Sequence, residues 1–193
     1  STAAENISAE SWEGMIDQVV LDKGDLNELV IDFLVTEGYH QAASCFKQEA
    51  DILYDIPGDG GEIREKIRTV LHKGDIPAAI SLLNDFNPEI LDSDPTLMFS
   101  LRRQQFIEFV RNNKIEEALL FAEQELAPRA MQNQTFVKEL ENIMSLFAFD
   151  KESIKESPIS NLLQNSQRQI TASEVNTAIL KSIQQERGIT ICS

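Results

Sequence analysis

The sequence predicts an all-α protein, in which a short helical hairpin is followed by a bundle of stacked helical hairpins. Apolar residues recur at helical spacing through residues 26–50 and again through residues 62–150. Glycines, prolines and Asn-Pro or Asp-Pro pairs divide this pattern into pieces of helical length. No segment shows the alternation of apolar and polar residues that is typical of a strand.

Composition limits the classes of function. Hydrophobic residues make up 42% of the 193 residues, which is enough for a sizeable core. Acidic residues outnumber basic ones by 32 to 17, and the resulting net charge of −15 argues against nucleic acid or anionic lipid as a partner. No apolar run reaches the roughly 18–20 residues of a membrane span, and the first residues lack a secretion signal. We therefore expect an intracellular protein that binds no membrane.

An N-terminal segment, residues 1–24, contains the first predicted helix. This helix covers Ser8–Leu21, and Ser8 is placed to cap it. Its apolar face consists of Trp12, Met15, Ile16 and Val19.

Residues 25–57 form the second unit, a hairpin of two short helices. Asp25 is a candidate N-cap for the first helix, and Gly38 breaks the pattern where a turn needs positive φ. The apolar residues of the first helix are Leu26, Leu29, Val30, Phe33 and Leu34. Those of the second helix are Tyr39, Ala42, Ala43, Phe46 and Ala50. Because about 25 residues cannot bury two such faces alone, either the rest of the chain or a second chain must cover them.

A turn-rich linker, Asp51–Gly61, leads into the bundle. Gly74 is predicted to end the first bundle helix and Asp75 to cap the next, with Pro77 in its first turn. Further helices are predicted over Pro95–Asn112, Lys114–Ala127 and Phe136–Phe149. Pro128 is expected to stop the second of these.

The pattern weakens after residue 150. Ser157-Pro158 opens a short apolar turn. Thr171 and Glu174 then have the spacing of a capping box, which predicts that the last helix begins there. Gly188 is expected to end that helix.

Three segments share one arrangement of helix, turn and helix. The repeat aligns Gly38-Tyr39 with Asp75-Ile76 and with Lys114-Ile115, at offsets of 37 and 39 residues. An alanine follows each turn residue at the fourth position, where a small side chain lets two helices approach closely. The repeat predicts stacked helical hairpins of similar architecture.

The hairpin resembles the LisH motif, and the segments after it resemble the CTLH and CRA domains. LisH resemblance depends on the leucines and aromatic of the first helix, the Gly38-Tyr39 pair and the Ala42-Ala43 pair with Phe46. The stretches that resemble CTLH are Lys73–Ile80, Asn87–Asp92, Gln105–Arg111 and Glu117–Ala122. Those that resemble CRA are Leu146–Asp150, Ser157–Ile159 and Ser173–Asn176. The resemblance places CTLH at 62–120 and CRA at 116–193.

One departure from the family lies at the C-terminus. Members of this type carry a further apolar helix after the Glu174-Val175-Asn176 helix, whereas this sequence stops at Ser193. We therefore expect a CRA part that is shorter than usual. Contacts that depend on the missing helix are in question.

No catalytic or metal-binding pattern is visible in the sequence. The four residues that bind zinc most readily, His40, His72, Cys45 and Cys192, are scattered singly. Cys45 lies beside Phe46 and is expected to be a small buried residue. We predict no enzyme activity, no metal and no cofactor.

The resemblance implies a non-catalytic scaffold subunit of a GID/CTLH-type E3 ubiquitin ligase complex, in the cytoplasm and nucleus. Its partners would be RING-bearing and RanBP-type LisH-CTLH-CRA subunits together with substrate receptors, and it would form a homo- or heterodimer through LisH. The predicted LisH interface is Leu26, Leu29, Val30, Phe33, Leu34, Tyr39 and Phe46, and the predicted structural turns are Gly38 and Gly74. Some interface residues must instead hold the two helices together. The alternative function is a free LisH-type adaptor in signalling or cytoskeletal regulation.

Overall fold

A computed structural model of the chain describes residues 22–54, 60–148 and 158–186. The predicted helix over Ser8–Leu21 lies outside the described residues, as do Gly188 and Cys192. Within the described ranges the chain is helical and contains no strand, so the all-α prediction is confirmed.

The described residues form ten α-helices. In chain order these are α1 (Lys23–Thr36), α2 (His40–Glu49), α3 (Gly61–Lys73), α4 (Ile76–Phe86), α5 (Glu89–Asp92), α6 (Pro95–Arg111), α7 (Ile115–Phe121), α8 (Ala127–Ala130), α9 (Gln134–Met144) and α10 (Asn165–Glu186). A π-helical turn, Ala122–Leu126, joins α7 to α8, and two 3₁₀ turns cover Ser145–Ala148 and Pro158–Leu163.

Three apolar clusters organise the described residues. The hairpin α1–α2 has a small one of its own, formed by Ile31, Val35 and Ala43 with Leu34, Phe46 and Tyr54. The first core of the body joins α3, α4, α5 and the start of α6 to α10. The second core joins the rest of α6 to α7, α8, α9 and the two 3₁₀ turns.

Helix α10 lies antiparallel to α3, and the two pack closely. Arg168, near the start of α10, donates to the backbone oxygen of His72 at the end of α3 at 2.8 Å. Ile183, near the other end of α10, lies against Gly60 at the start of α3. The last described helix therefore completes the core of the first body helices, across the predicted boundary between CTLH and CRA.

The repeated helix-turn-helix arrangement is confirmed, with a change of register. Three helices end in the same turn, in which a left-handed residue is followed by a residue whose N–H bonds back to the last helical turn. The left-handed residues are Gly38, Gly74 and Asn113, with φ of 83°, 82° and 60°. Their N–H groups donate to the carbonyls of Val35, Leu71 and Val110, and the next N–H groups donate to Leu34, Val70 and Phe109. These are the two bonds of a Schellman motif, repeated three times.

The equivalent alanines are Ala43, Ala79 and Ala118, and each is fully buried. The predicted register is wrong by one residue in the first unit, because Gly38 corresponds to Gly74 and not to Asp75. Ala42, which the predicted alignment placed in the contact, is exposed on the outer side of α2. The three units thus share a turn with a left-handed residue, followed by an alanine that is buried where two helices cross.

Two predicted helix starts are confirmed by their side-chain caps. The carboxylate of Asp75 accepts from the N–H of Ala78 at 3.1 Å. Asp94 accepts from the N–H groups of Thr96 and Leu97, both at 3.0 Å. In both helices proline occupies the first turn, where its missing N–H costs little.

Three other predicted boundaries are wrong. Helix α1 begins at Lys23, so Asp25 lies in its first turn and does not cap it. Helix α10 begins at Asn165, and Thr171 is buried in its middle, because Glu174 accepts from Ser100 on α6 instead of capping a helix. Pro128 does not stop α7, since the π-helical turn before it bonds Ala127 to Ala122 and the helix continues through Ala130.

Candidate interaction surface

Chemistry-bearing side chains do not converge in the part of the chain that the structure describes. Ranges 22–54, 60–148 and 158–186 hold no group of three His, Cys, Asp or Glu residues arranged to bind a metal ion. Cys45 is exposed, so the expectation of a buried thiol is wrong. Helix α2 turns Ala43 and Phe46 toward α1 and leaves Cys45 on its outer side. No described helix is both long and apolar enough to cross a bilayer.

Helix α1 has two apolar faces, and only one of them is covered. Ile31 and Val35 are buried against Ala43 of α2. The other face carries four large side chains at positions i, i+3, i+4 and i+7 that remain open to solvent. Their exposed fractions are 44% for Leu26, 67% for Leu29, 42% for Val30 and 59% for Phe33. We call these four residues the α1 face.

The structure separates the predicted interface residues by location. Leu26, Leu29, Val30 and Phe33 point outward, and none of the described body helices covers them. Leu34 and Phe46 are half-buried and pack against the hairpin's own cluster, so they hold its two helices together. Tyr39 is half-buried beside Arg68, whose guanidinium lies 4.2 Å from the centre of the tyrosine ring. Whether the α1 face binds a partner stays a prediction.

The residues that close the hairpin were missed by the sequence pattern. Ile31 and Val35 are spaced i and i+4, which places two large apolar side chains on one face of the helix. This spacing was the signal that could have identified them. The stripe of five apolar residues beside them gives the stronger helical pattern and does not show that a second apolar face exists. Gly38 and Gly74 were predicted correctly as turns, since both have positive φ.

A second apolar surface lies on α7. Ile115, Leu119 and Leu120 are exposed, whereas Ala118 on the same helix is fully buried. Glu116, Glu117 and Glu123 surround them and are also exposed. We call Ile115, Leu119 and Leu120 the α7 patch. The sequence analysis did not single it out, because two adjacent leucines in an apolar helix give no sign of which one is covered.

Two arginines of α3 connect the hairpin to the body. Arg64 and Arg68 are one helical turn apart and are both buried. Arg64 donates from Nη1 to the carbonyls of Val35 and Thr36 at 3.0 and 3.2 Å. Burial, and then the neighbouring charge of Arg68, lower the pKa of the Arg64 guanidinium.

A buried carboxylate joins three helices on the opposite end of α3. Glu108 of α6 accepts from Nε and Nη2 of Arg168 at 2.8 and 2.6 Å, and from Gln104 at 2.8 Å. Burial raises the pKa of the Glu108 carboxyl, but the bonds from Arg168 and Gln104 and the charges of Arg168 and Arg111 outweigh it, so the net pKa is lowered. The same bonds raise the pKa of Arg168.

In the described residues the structure defines an all-helical protein, built from a small hairpin and a larger bundle. Two family profiles match it: LisH over residues 25–50, and the CTLH/CRA domain C-terminal to the LisH motif over residues 62–191. The second profile alone covers more than half of the chain. The chain therefore belongs to the LisH–CTLH family.

Within that family the chain is similar to a group of proteins named for glucose-induced degradation. It is 42% identical to the glucose-induced degradation protein 8 homolog of Dictyostelium discoideum, over 94% of this chain and 78% of that protein. It is 44% identical to the protein GID8 homolog of Arabidopsis thaliana, over 97% and 76%. It is 39% identical to GID complex subunit 8 of Schizosaccharomyces pombe, over 90% and 76%.

Proposed function

We propose that the chain is a non-catalytic subunit of a GID/CTLH-type ubiquitin ligase complex, in which it holds other subunits together. The name of the Schizosaccharomyces pombe relative, GID complex subunit 8, supports membership of such a complex. The observation that carries the proposal is the α1 face, where four large apolar side chains remain in water. Burying each one fully in an interface would contribute about 1.5–3 kcal/mol.

A scaffold needs more than one binding surface, and the described residues offer two. The α1 face lies on a helix of the hairpin, and the α7 patch lies on the outer side of a helix whose Ala118 packs in the second core of the body. Because these surfaces lie on different units, two partners can bind without competing for the same side chains. This arrangement supports a connecting role rather than simple dimerisation.

The proposed partners are other LisH-CTLH-CRA proteins, including RING-bearing and RanBP-type subunits, and substrate receptors. The α1 face would pair with the corresponding helix of a second LisH motif, in a homo- or heterodimer. Ubiquitin transfer would depend on the RING modules of the partners, whose folds are held by structural zinc. This chain would act by placing those partners for ubiquitin-dependent degradation. We propose the cytoplasm and nucleus as its location.

Substitution of Phe33 by aspartate tests the central claim. Phe33→Asp places a charge in the middle of the α1 face and should abolish association through it, because the buried carboxylate would have no partner. The side chain is 59% exposed, so the hairpin itself should stay folded. Multi-angle light scattering would report a lower mass, and circular dichroism would report an unchanged helix content.

Met131→Asp is the matched control, because Met131 is 86% exposed but lies outside both surfaces. It should leave the mass unchanged. A Phe33→Asp chain that keeps the wild-type mass would contradict an interface at the α1 face. Affinity purification from a native lysate then tests the ligase context: RING-bearing subunits should co-purify with the wild-type chain, and their absence would favour the free adaptor.

A further inference from the structure

The hairpin meets the body mainly through polar groups. Among the described residues, its apolar cluster consists of side chains from α1 and α2 together with Tyr54, and it has no member from α3 or α10. The described hydrogen bonds that cross between them come from the side chains of Arg64 and Arg68 of α3 and of Asn176 of α10. One more runs from the N–H of Gln41 on α2 to the carboxylate of Glu65 on α3, at 3.2 Å. The attachment of the hairpin therefore depends on a small set of directional bonds.

Arg64 and Asn176 act together on the end of α1. Nη1 of Arg64 contacts the carbonyls of Val35 and Thr36 and also donates to Oδ1 of Asn176 at 3.0 Å. Nδ2 of Asn176 donates to the same Thr36 carbonyl at 2.8 Å. Both side chains are buried, with exposed fractions of 5% for Arg64 and 7% for Asn176. One carbonyl of the hairpin is thus held from α3 and α10 at once.

Arg68 holds the turn that follows α1. It donates from Nη2 to the carbonyl of Glu37 and from Nη1 to the hydroxyl of Tyr39 at 3.1 Å. Its guanidinium also lies over the Tyr39 ring and 3.5 Å from the Glu37 carboxylate. Planar guanidinium groups form several bonds in fixed directions, which a lysine cannot reproduce.

Two of the carbonyls that these side chains bind, those of Val35 and Thr36, lie in the last turn of α1, and the third, that of Glu37, follows it directly. The last four carbonyls of α1 have no donor within the helix and carry the negative end of its dipole. Gly38 adds a steric condition, because a Cβ at that position would lie 3.0 Å from Oδ1 of Asn176. The end of α1 is therefore enclosed by cationic and amide donors at close range.

We propose that Arg64, Arg68 and Asn176 are positioning residues, forming a polar latch that fixes the angle at which the hairpin presents the α1 face relative to the body. The hairpin holds its own fold through its separate apolar cluster. Loss of the latch leaves both units folded and frees their relative orientation. The proposal concerns the chain itself and does not depend on which partner binds the α1 face, so its failure would leave the proposed function standing.

Double electron–electron resonance tests this proposal, because the distance between a spin label on the hairpin and one on the body changes with their relative orientation. Cys45 is a natural labelling site on the exposed side of α2, and Asn84→Cys supplies a second site on the exposed side of α4. Cys192→Ser removes the remaining thiol. Labelled protein is diluted with excess unlabelled protein so that only distances within one chain are measured. The wild-type latch should give a narrow distance distribution.

The latch variants are Arg64→Ala and Asn176→Ala, each in the doubly labelled full-length chain. Each should broaden the distance distribution roughly twofold, because two packed units joined by a loop sample many orientations. Arg129→Ala is the matched control. That arginine also binds a carbonyl and a carboxylate, both of Glu125, but it lies in the body away from the hairpin. Its distribution should match the wild type.

Hydrogen exchange separates positioning from a general structural role. The amides of α1 and α2 should exchange at wild-type rates in the latch variants, apart from those at Glu37–Tyr39. Unchanged distance distributions in both variants would overturn the proposal, and so would rapid exchange throughout α1 and α2. If Arg64→Ala lowers the helix content of the body, Asn176→Ala decides the outcome, because it retains both guanidinium groups and removes only one neutral side chain.

Discussion

Two independent constraints require a glycine at position 74: the backbone conformation and the space left by neighbouring side chains. Its φ of 82° is a conformation that other residues rarely adopt. A Cβ built there would also lie 2.6 Å from Nη2 of Arg168 and 2.8 Å from Oε2 of Glu108. The ion pair between α6 and α10 thus packs directly against the turn that ends α3 and leaves no room for a side chain there. Glycine is required by the backbone and by the neighbouring charges together.

Gly74→Ala should therefore destabilise the protein by about 1–3 kcal/mol, through strain at positive φ and displacement of the ion pair. Chemical unfolding followed by circular dichroism measures the change. Gly24→Ala is the control, because Gly24 lies in the first turn of α1 and, within the described part of the chain, a Cβ there would meet only the flexible side chain of Asp22. It should change the free energy of unfolding by less than about 1 kcal/mol. Equal effects of the two substitutions would refute this account of Gly74.

Glu108 makes stability depend on pH in a defined direction. Its net pKa is lowered in the folded chain, so its contribution is present above the unfolded value of about 4.3 and is lost as pH falls through the folded pKa. Glu108→Gln should lower the free energy of unfolding at neutral pH and reduce its decline in acid. Urea unfolding at about pH 7 and about pH 3.5 tests this. Glu116 is exposed, so Glu116→Gln should lose as much free energy of unfolding between the two pH values as the wild type does. If Glu108→Gln also loses as much as the wild type, the Glu108 carboxyl is not the source of the pH dependence.

At the scale of elements, α7 combines a buried and an open side within seven residues. Ala118 faces the second core, while Leu119 and Leu120 face solvent among glutamates. A partner suited to this surface would present apolar side chains flanked by basic ones. The α7 patch is therefore distinct from the α1 face in location and in its acidic border.

Leu119→Glu should remove a partner bound at α7 without affecting one bound at α1. A carboxylate buried at an interface without a counter-charge costs far more than the apolar contact contributes. Native mass spectrometry of complexes purified with the tagged chain would show the loss of one subunit, and combining the change with Phe33→Asp should remove both. Leu53→Glu, at a fully exposed residue outside the patch, is the control. Retention of every subunit by Leu119→Glu would exclude α7 as a binding surface.

The presence of the body helices was predictable because their caps, turns and apolar spacing are local features of the sequence. Asp75 caps its helix as expected, and the helix predicted from Pro95 does begin there. The three turns share a pattern that the sequence repeats. The errors concern helix boundaries that are determined by contacts with residues distant in sequence. Thr171 and Glu174 have the spacing of a cap, yet α10 extends past them toward its start because Arg168 bonds to Glu108 and to the end of α3. Local pattern cannot reveal a partner that lies far away in sequence.

For the whole molecule, helical periodicity was enough to predict an all-α fold, and the resemblance of its motifs to LisH, CTLH and CRA was enough to predict the family. They were not enough to sort the apolar residues of α1 into covered and open ones. That distinction depends on the hairpin angle, which places Ile31 and Val35 against Ala43 and turns Phe33 outward. The connection of hairpin to body was also invisible, since buried arginines in a helix look like ordinary surface charges in a sequence.

The pairing of α3 with α10 has a consequence for how the chain is made. Arg64 binds Asn176, 112 residues later, and the first core contains Ile67 and Leu71 together with Val175 and Ile179. During synthesis the early helices leave the ribosome long before the helix that covers them exists. Their apolar side stays uncovered until the residues of α10 have been synthesised. This exposes the nascent chain to chaperone binding or aggregation, even though the folded protein is built largely from short-range helical hairpins.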